Sequence, residues 1–366
     1  MPTRVQTLES PEAAEVFITA APSLPAPIDA QAAEVFSAVR DALRAADARL
    51  LEERVFATEP GLRAIDPIRA DLYGDLDDGV PPARLLLTKG LGGDIAGVQV
   101  RAVRSDPRPG RLGRVGRILR RGNLAWITVC GLSAPEAGPA TAQARRVYET
   151  AAAALREAGA DMHAVARTWL WLADILSWYS EFNEVRTAFY REVGLLDSHP
   201  TRARMPASTG IGVRPAGALC GLDLFAVIGP EGSTRYLQAA GNQESPFQYG
   251  SAFSRAATSV TPAGETVFVS GTASIDAEGR TAHVGDARGQ IDATVANVRA
   301  VLGECGCGDA DVVQAIAYCK TTDVEKVWRD MAAGVPWPCV TLLGDICRDD
   351  LLFEIEAAAC PGVRER

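Results

Sequence analysis

The stretch Gln290-Ile291-Asp292-Ala293-Thr294-Val295-Ala296-Asn297-Val298-Arg299-Ala300-Val301-Leu302 places Val295, Val298 and Leu302 at helical spacing behind a leading Gln. The pattern recurs twice upstream. Gln31 leads a run to Arg44 with Val35, Val39 and Leu43 on one face, and Gln143 leads a run to Arg156. An apolar strand-like run precedes each helix: Glu15-Val16-Phe17-Ile18-Thr19, Ala125-Trp126-Ile127-Thr128-Val129 and Thr266-Val267-Phe268-Val269-Ser270. Another follows each: Arg54 to Ala57, Val165 to Leu170 and Val312 to Tyr318. A second helix comes next, clearest from Trp178 to Val193, where Trp178, Phe182, Val185 and Phe189 form one stripe. Two strands close each copy: Arg84 to Thr88 with Val98 to Val103, Ala207 to Ile211 with Gly221 to Val227, and Cys339 to Leu343 with Leu351 to Ala358.

The chain therefore reads as α+β, with three tandem copies of β…αβαββ at residues 10–105, 112–229 and 234–361. The alternative is two such units behind an unrelated N-terminal region. Glu231-Gly232-Ser233 and Arg104 to Gly110 read as the linkers. A length of 366 residues agrees, since single domains run to about 100–150 residues.

Composition excludes several classes. The chain carries 46 Asp and Glu against 37 Lys and Arg and has no basic run, so nucleic acid is not an expected partner. No apolar run approaches the ~18 residues of a membrane span, and the N-terminus has no apolar leader, so a cytoplasmic protein without a membrane partner is expected. The eight cysteines are scattered along the chain, as buried thiols in a reducing compartment would be. Cys305-Gly306-Cys307 has no second pair at zinc-ligand spacing, and the histidines (163, 199, 283) lie far apart. No metal and no cofactor is expected.

The candidate chemistry sits in Gly344-Asp345-Ile346-Cys347-Arg348-Asp349-Asp350-Leu351-Leu352-Phe353-Glu354-Ile355-Glu356, a charged turn followed by a strand. Strand alternation puts Glu354 and Glu356 on one face and Phe353 and Ile355 on the other. An edge strand with its acids in water accounts for this. So does a carboxyl held in a pocket for acid–base work.

With these elements in order, the repeated unit resembles the YjgF / reactive-intermediate deaminase superfamily. Its members are homotrimers with sites between subunits. The resemblance implies chorismate-mutase-like units, each a mixed sheet with two helices on one face, arranged as an intrachain pseudo-trimer. It also implies a monomer or low-order homo-oligomer. In the deaminases an Arg before the penultimate strand and a Glu in the last strand process the substrate. Arg84 in Pro82-Ala83-Arg84 matches the Arg of copy one, with Gln99 at the Glu position. Glu354 matches the Glu of copy three, with Trp337 near the Arg position, and copy two has Gly221 at the Glu position.

Residues 112–361 are similar to one branch, the chorismatases. The matching stretches are Pro206 to Gly212, Arg167 to Leu170, Tyr249 to Ala256, Val269 to Ile275, Asp345 to Arg348 and Leu351 to Glu356. A Tyr-Gly-Pro-Arg-Ser-Pro segment usual in that branch is shortened here to Tyr249-Gly250-Ser251-Ala252, which removes an Arg.

The resemblance implies cleavage of the enolpyruvyl ether of chorismate, or of another small carboxylate, to pyruvate and a hydroxybenzoate or dihydroxycyclohexadienoate. Glu354 is the expected acid and Glu356 a structural neighbour. Cys347, seven residues before Glu354, goes with the hydroxybenzoate-forming type; a small buried filler is its alternative. Arg255, Arg204 and Arg84 are candidate carboxylate binders, or surface ion pairs. Tyr249, Phe253, Ser270, Gly271 and Ala273 are expected beside the ligand. Imine or enamine hydrolysis, and non-catalytic binding of a small carboxylate, stay open as alternatives.

Overall fold

A computed structural model describes residues 3–196, 204–241 and 243–365. Three mixed sheets form, each carrying two helices on one face. The second sheet has the order Ala207–Ile211, Val165–Leu172, Cys220–Ile228, Leu124–Ser133, Gly116–Arg121, Gly110–Leu112. The third repeats it as Cys339–Leu343, Val312–Cys319, Phe353–Ala359, Gly264–Ala273, Ala256–Thr261, Thr234–Leu237. The first has the same central order: Ala83–Leu86, Arg49–Ala57, Ile95–Ser105, Ala13–Ala20, Arg4–Glu9.

The N-terminal region is thus a third copy and not an unrelated segment. Its sheet is completed on both edges by the others. Arg214–Pro215 pairs with Ala83–Leu86, and Arg364–Glu365 pairs with Arg4–Glu9. Of the stretch read as the first linker, Arg104 and Ser105 are still strand.

The helices are α1 (Ile28–Ala45), α2 (Glu59–Tyr73), α3 (Ala140–Glu157), α4 (Tyr179–Glu192), α5 (Ala287–Glu304) and α6 (Thr322–Met331). In each unit the second helix carries the crossover between two adjacent parallel strands, a connection that a short turn cannot make. Among the described residues, no helix is long and apolar enough to cross a membrane. All eight cysteines are free thiols.

The recurrent Gln has a physical reason. The first helices begin three residues before it, so Gln31, Gln143 and Gln290 lie in the first turn, each at most 3 % exposed. Their Oε1 atoms accept backbone N–H groups where the last strand begins. Gln31 takes Asp94 and Ile95 (both 3.1 Å), Gln143 takes Leu219 (2.9 Å) and Cys220 (3.3 Å), and Gln290 takes Leu352 (2.8 Å). The Gln290 amide also donates to the Asp350 carbonyl at 2.8 Å. One side chain per unit therefore ties a helix to the central strand. Replacing Gln290 by Ala leaves the Leu352 N–H without its acceptor and is expected to cost about 1–3 kcal/mol. The midpoint of urea unfolding measures it, and an unchanged midpoint would refute the staple.

Apolar residues separate into four cores. Three lie between a sheet and its helices, and Val35, Val39 and Leu43 of α1 are buried in the first. The fourth lies where the helix-free faces of all three sheets meet. Phe17 and Phe56 come from the first unit, Trp126, Trp171 and Phe225 from the second, and Phe268, Ile316 and Leu342 from the third. This shared core makes the chain an intrachain pseudo-trimer.

Candidate active site

Phe353–Ala359 is a central strand, paired with Gly264–Ala273 on one side and Val312–Cys319 on the other. An edge strand with its acids in water is therefore excluded. Phe353 and Ile355 pack beneath the helices of the third unit, while Glu354 and Glu356 face the seam with the second. Both are 5 % exposed.

The two carboxyls are handled differently. Arg167 donates to Glu356 Oε2 at 2.9 Å and the Trp169 indole donates to Oε1 at 2.7 Å, both from the second unit. Arg167 also donates to Thr209 Oγ1 at 2.5 Å, and Thr209 accepts the Gly271 N–H at 2.9 Å. Among the described residues no donor is bonded to Glu354. Burial, reinforced by the neighbouring Glu356 charge and partly offset by Arg167, pushes Glu354 up to about 8. At neutral pH it is a carboxylic acid.

Glu354 opens on a cavity of about 220 Å³. From α4 of the second unit come Tyr179 and Asn183; from the third unit come Ser251, Phe253, Arg255, Cys347 and Arg348. Gly271 and Ala273 form the floor beside Glu354. A Cβ at position 271 would overlap Glu354 Oε1 and press on Thr209, so glycine makes room for the acid. Arg255, 3 % exposed, donates to the Glu244 carbonyl at 3.2 and 3.0 Å, and Arg348 donates to the Gly279 carbonyl at 2.8 Å. These contacts hold two guanidinium groups in the cavity wall. Tyr179, Ser251 and Cys347 line the same side of the site. Burial pushes both Tyr179 and Cys347 up to about 12, so Cys347 is a thiol and not a thiolate at neutral pH.

Of the residues expected from sequence, Glu354, Cys347, Arg255, Phe253, Gly271 and Ala273 meet at this cavity. Ser270 does not. Its hydroxyl donates to the Ser254 carbonyl (2.5 Å) and accepts the Ser208 N–H (2.8 Å), so it ties the two units together behind the wall. The Gly271 N–H is likewise taken by Thr209. Arg84 stands in the first sheet, paired with Asp66 at 3.1 Å, and Arg204 is an exposed partner of Glu231 on a wider surface groove. Sequence spacing could not show that these two point elsewhere. Tyr249 ends a one-turn helix, Pro246–Tyr249, and its side chain lies outside the described residues. Tyr179 and Asn183 were missed. Their four-residue spacing, continued by Arg186 at i+7, puts one polar stripe on α4 and was the available signal.

At the other two seams, among the described residues, the matching positions are occupied. By strand register Gly97 and Gly221 stand level with Glu354, while Gln99 and Asp223 stand level with Glu356. Gln99 is thus the counterpart of Glu356 and not of Glu354. Pro215 lies 2.9 Å from where a Cβ of Gly221 would be, and Val340 lies 3.1 Å from that of Gly97. Gln99 donates to the Ala315 carbonyl at 2.8 Å. Asp223 accepts from Arg54 (2.7 Å), the Trp171 indole (3.1 Å) and the Gly131 N–H (2.6 Å).

With this geometry in place, comparison with known proteins is informative. Residues 249–360 match the family model described as endoribonuclease L-PSP. A crystal structure of a chorismatase superposes with a TM-score of 0.64 at 24 % identity, covering 85 % of this chain and 93 % of that one. Residues 249–360 are thus similar to that family, and over 85 % of its length the chain shares the fold of the chorismatase structure.

A chorismatase from Streptomyces hygroscopicus is 32 % identical over 209 residues, which is 52 % of this chain and 60 % of that protein's length. A YjgF/YER057c/UK114-family protein of Mycobacterium tuberculosis aligns over 35 % of this chain and 98 % of its own, at 23 % identity and a TM-score of 0.27. On the chorismatase fold of this chain, the described cavity that holds an unpaired buried carboxyl is the one at the seam of the second and third units.

Proposed function

We propose that the chain is a chorismatase-like enzyme that cleaves the enolpyruvyl ether of chorismate or a close analogue. The observation that carries this reading is Glu354, a buried carboxyl held as an acid at neutral pH and facing a cavity with Arg255 and Arg348 in its wall. An enol ether is cleaved once its methylene carbon is protonated. Glu354 delivers that proton, giving an oxocarbenium ion. Water adds to it and returns a proton to the Glu354 carboxylate, and the hemiketal collapses to pyruvate and the freed ring alcohol. The two guanidinium groups counter the carboxylates of a dianionic substrate. A cavity of about 220 Å³ fits one small molecule and not a polymer.

The test is incubation with chorismate, following pyruvate and ring products by chromatography. Pyruvate release is expected; a folded protein that releases none overturns the reading. Cys347, a neutral thiol in the cavity wall beside Tyr179, touches the ring side of the cavity in this reading. Cys347→Ala is expected to keep pyruvate release within about tenfold, since no nucleophile is lost. The ratio of hydroxybenzoate to dihydroxycyclohexadienoate should change. An unchanged ratio removes Cys347 from product control.

A further inference from the structure

Glu356 has both oxygens bonded to the second unit, by Arg167 at 2.9 Å and Trp169 at 2.7 Å. Glu354 lies two residues away on the same strand face, about 7 Å along the strand. We infer that Glu356 is a positioning residue: with its two oxygens bonded to Arg167 and Trp169, its carboxylate adds to burial in keeping the neighbouring Glu354 carboxyl protonated, so the acid of the site depends on the seam between two units.

The surroundings of Glu354 leave this role to Glu356. Directly opposite on the adjoining strand is Tyr318, fully buried and kept neutral by that burial. The strand on the other side brings Gly271 and Ala273, which carry no charge. Cys347 and Tyr179, from the preceding turn and from α4, are neutral as well. Arg255 and Arg348 are cations in the cavity wall, engaged with the Glu244 and Gly279 carbonyls. The anion facing Glu354 is Glu356, and Arg167, bonded to it, opposes it with the smaller effect. The same Arg167 holds Thr209, which holds the Gly271 backbone against the Glu354 oxygen.

The inference rests on the proposed function only in calling Glu354 the catalytic acid; its titration is measured without substrate. In Glu356→Gln the anion is gone while the Arg167 guanidinium remains, and both conditions favour ionised Glu354. Its titration midpoint, read from the carboxyl band by infrared spectroscopy and assigned by its loss in Glu354→Gln, should fall by roughly one to two pH units. That is a ten- to hundredfold rise in the ionisation constant, for charges about 7 Å apart at an effective dielectric of about 20. The Arg167→Gln/Glu356→Gln pair removes both charges and is expected to fold even where the single variant does not. It should show a smaller fall.

A midpoint unchanged or raised in folded Glu356→Gln overturns the inference. So does a fall in the double variant as large as in the single one or, where the single does not fold, no fall in the double. If chorismate is the substrate, the alkaline limb of its turnover moves with the midpoint. No pyruvate from the wild-type protein would sink the chorismatase reading and leave the titration result standing.

Discussion

Glu354→Gln is expected to lower chorismate turnover by about 10²–10⁴-fold, the usual contribution of a positioned general acid. It should also make the protein more stable at neutral pH. The amide keeps the shape of the carboxyl but carries no transferable proton. Stability rises because the native site resists ionisation: Glu354 is pushed from 4.5 up to about 8. Between those values the native state binds the proton that the unfolded chain releases, so stability falls as pH rises through this window. At pH 7 the cost is up to about 3 kcal/mol, taken as 2.5 pH units at 1.36 kcal/mol each, and Gln removes it. Turnover by the wild-type protein should correspondingly fall above about pH 8, as the acid ionises. Loss of activity with a higher unfolding midpoint is the expected pair of results. Retained turnover would remove Glu354 from the chemistry. A lower midpoint at pH 7 would show that the carboxyl is not strained toward its neutral form.

Arg54→Ala is expected to destabilise the protein by about 3–5 kcal/mol, since it leaves a buried carboxylate without its cation. Arg54 reaches from the first unit to Asp223 of the second at 2.7 Å and to Glu52 at 3.0 Å, and its guanidinium lies 3.7 Å from the centre of the Trp169 ring. Asp223 is fully buried, so water cannot take over the lost partner. The Arg54→Met/Asp223→Asn pair removes both charges and should recover most of the loss, which a double-mutant cycle on urea midpoints would show. A single-variant cost below about 1 kcal/mol would mean that apolar packing alone holds the first seam. Through Trp169 the same change reaches Glu356, so some loss of activity is expected with it.

The fold was largely readable because its signals are local. Apolar residues at helical and strand spacing mark the elements, and the Gln at each helix start recurs because each helix must be tied to its own central strand. The alternation that places Glu354 and Glu356 on one face follows from the pleat of a single strand. Their burial does not, because it depends on strands brought up from both sides and on a second unit laid across them.

Misreadings arose where position depends on another unit. Gln99 was set level with Glu354 because alternation alone does not number a strand: Gly97 and Gln99 share a face, and only their pairing with Phe56 and Arg54 decides which of them stands level with Glu354. Arg84 and Arg204 have the right charge, but charge at a sequence position does not say which seam a side chain reaches.

By itself, then, the sequence determined the three-copy α+β plan, the pairing of two acids on one strand face, and the residue types near them. Tertiary structure alone decided that a cavity opens at Glu354, while Pro215 and Val340 sit against Gly221 and Gly97 at the matching positions. It also decided that Glu356 is paired and Glu354 is not, and that α4 of a different unit supplies Tyr179 and Asn183. The physical reason is that protonation and cavity shape are set by burial and by charges from distant parts of the chain, which no local pattern encodes.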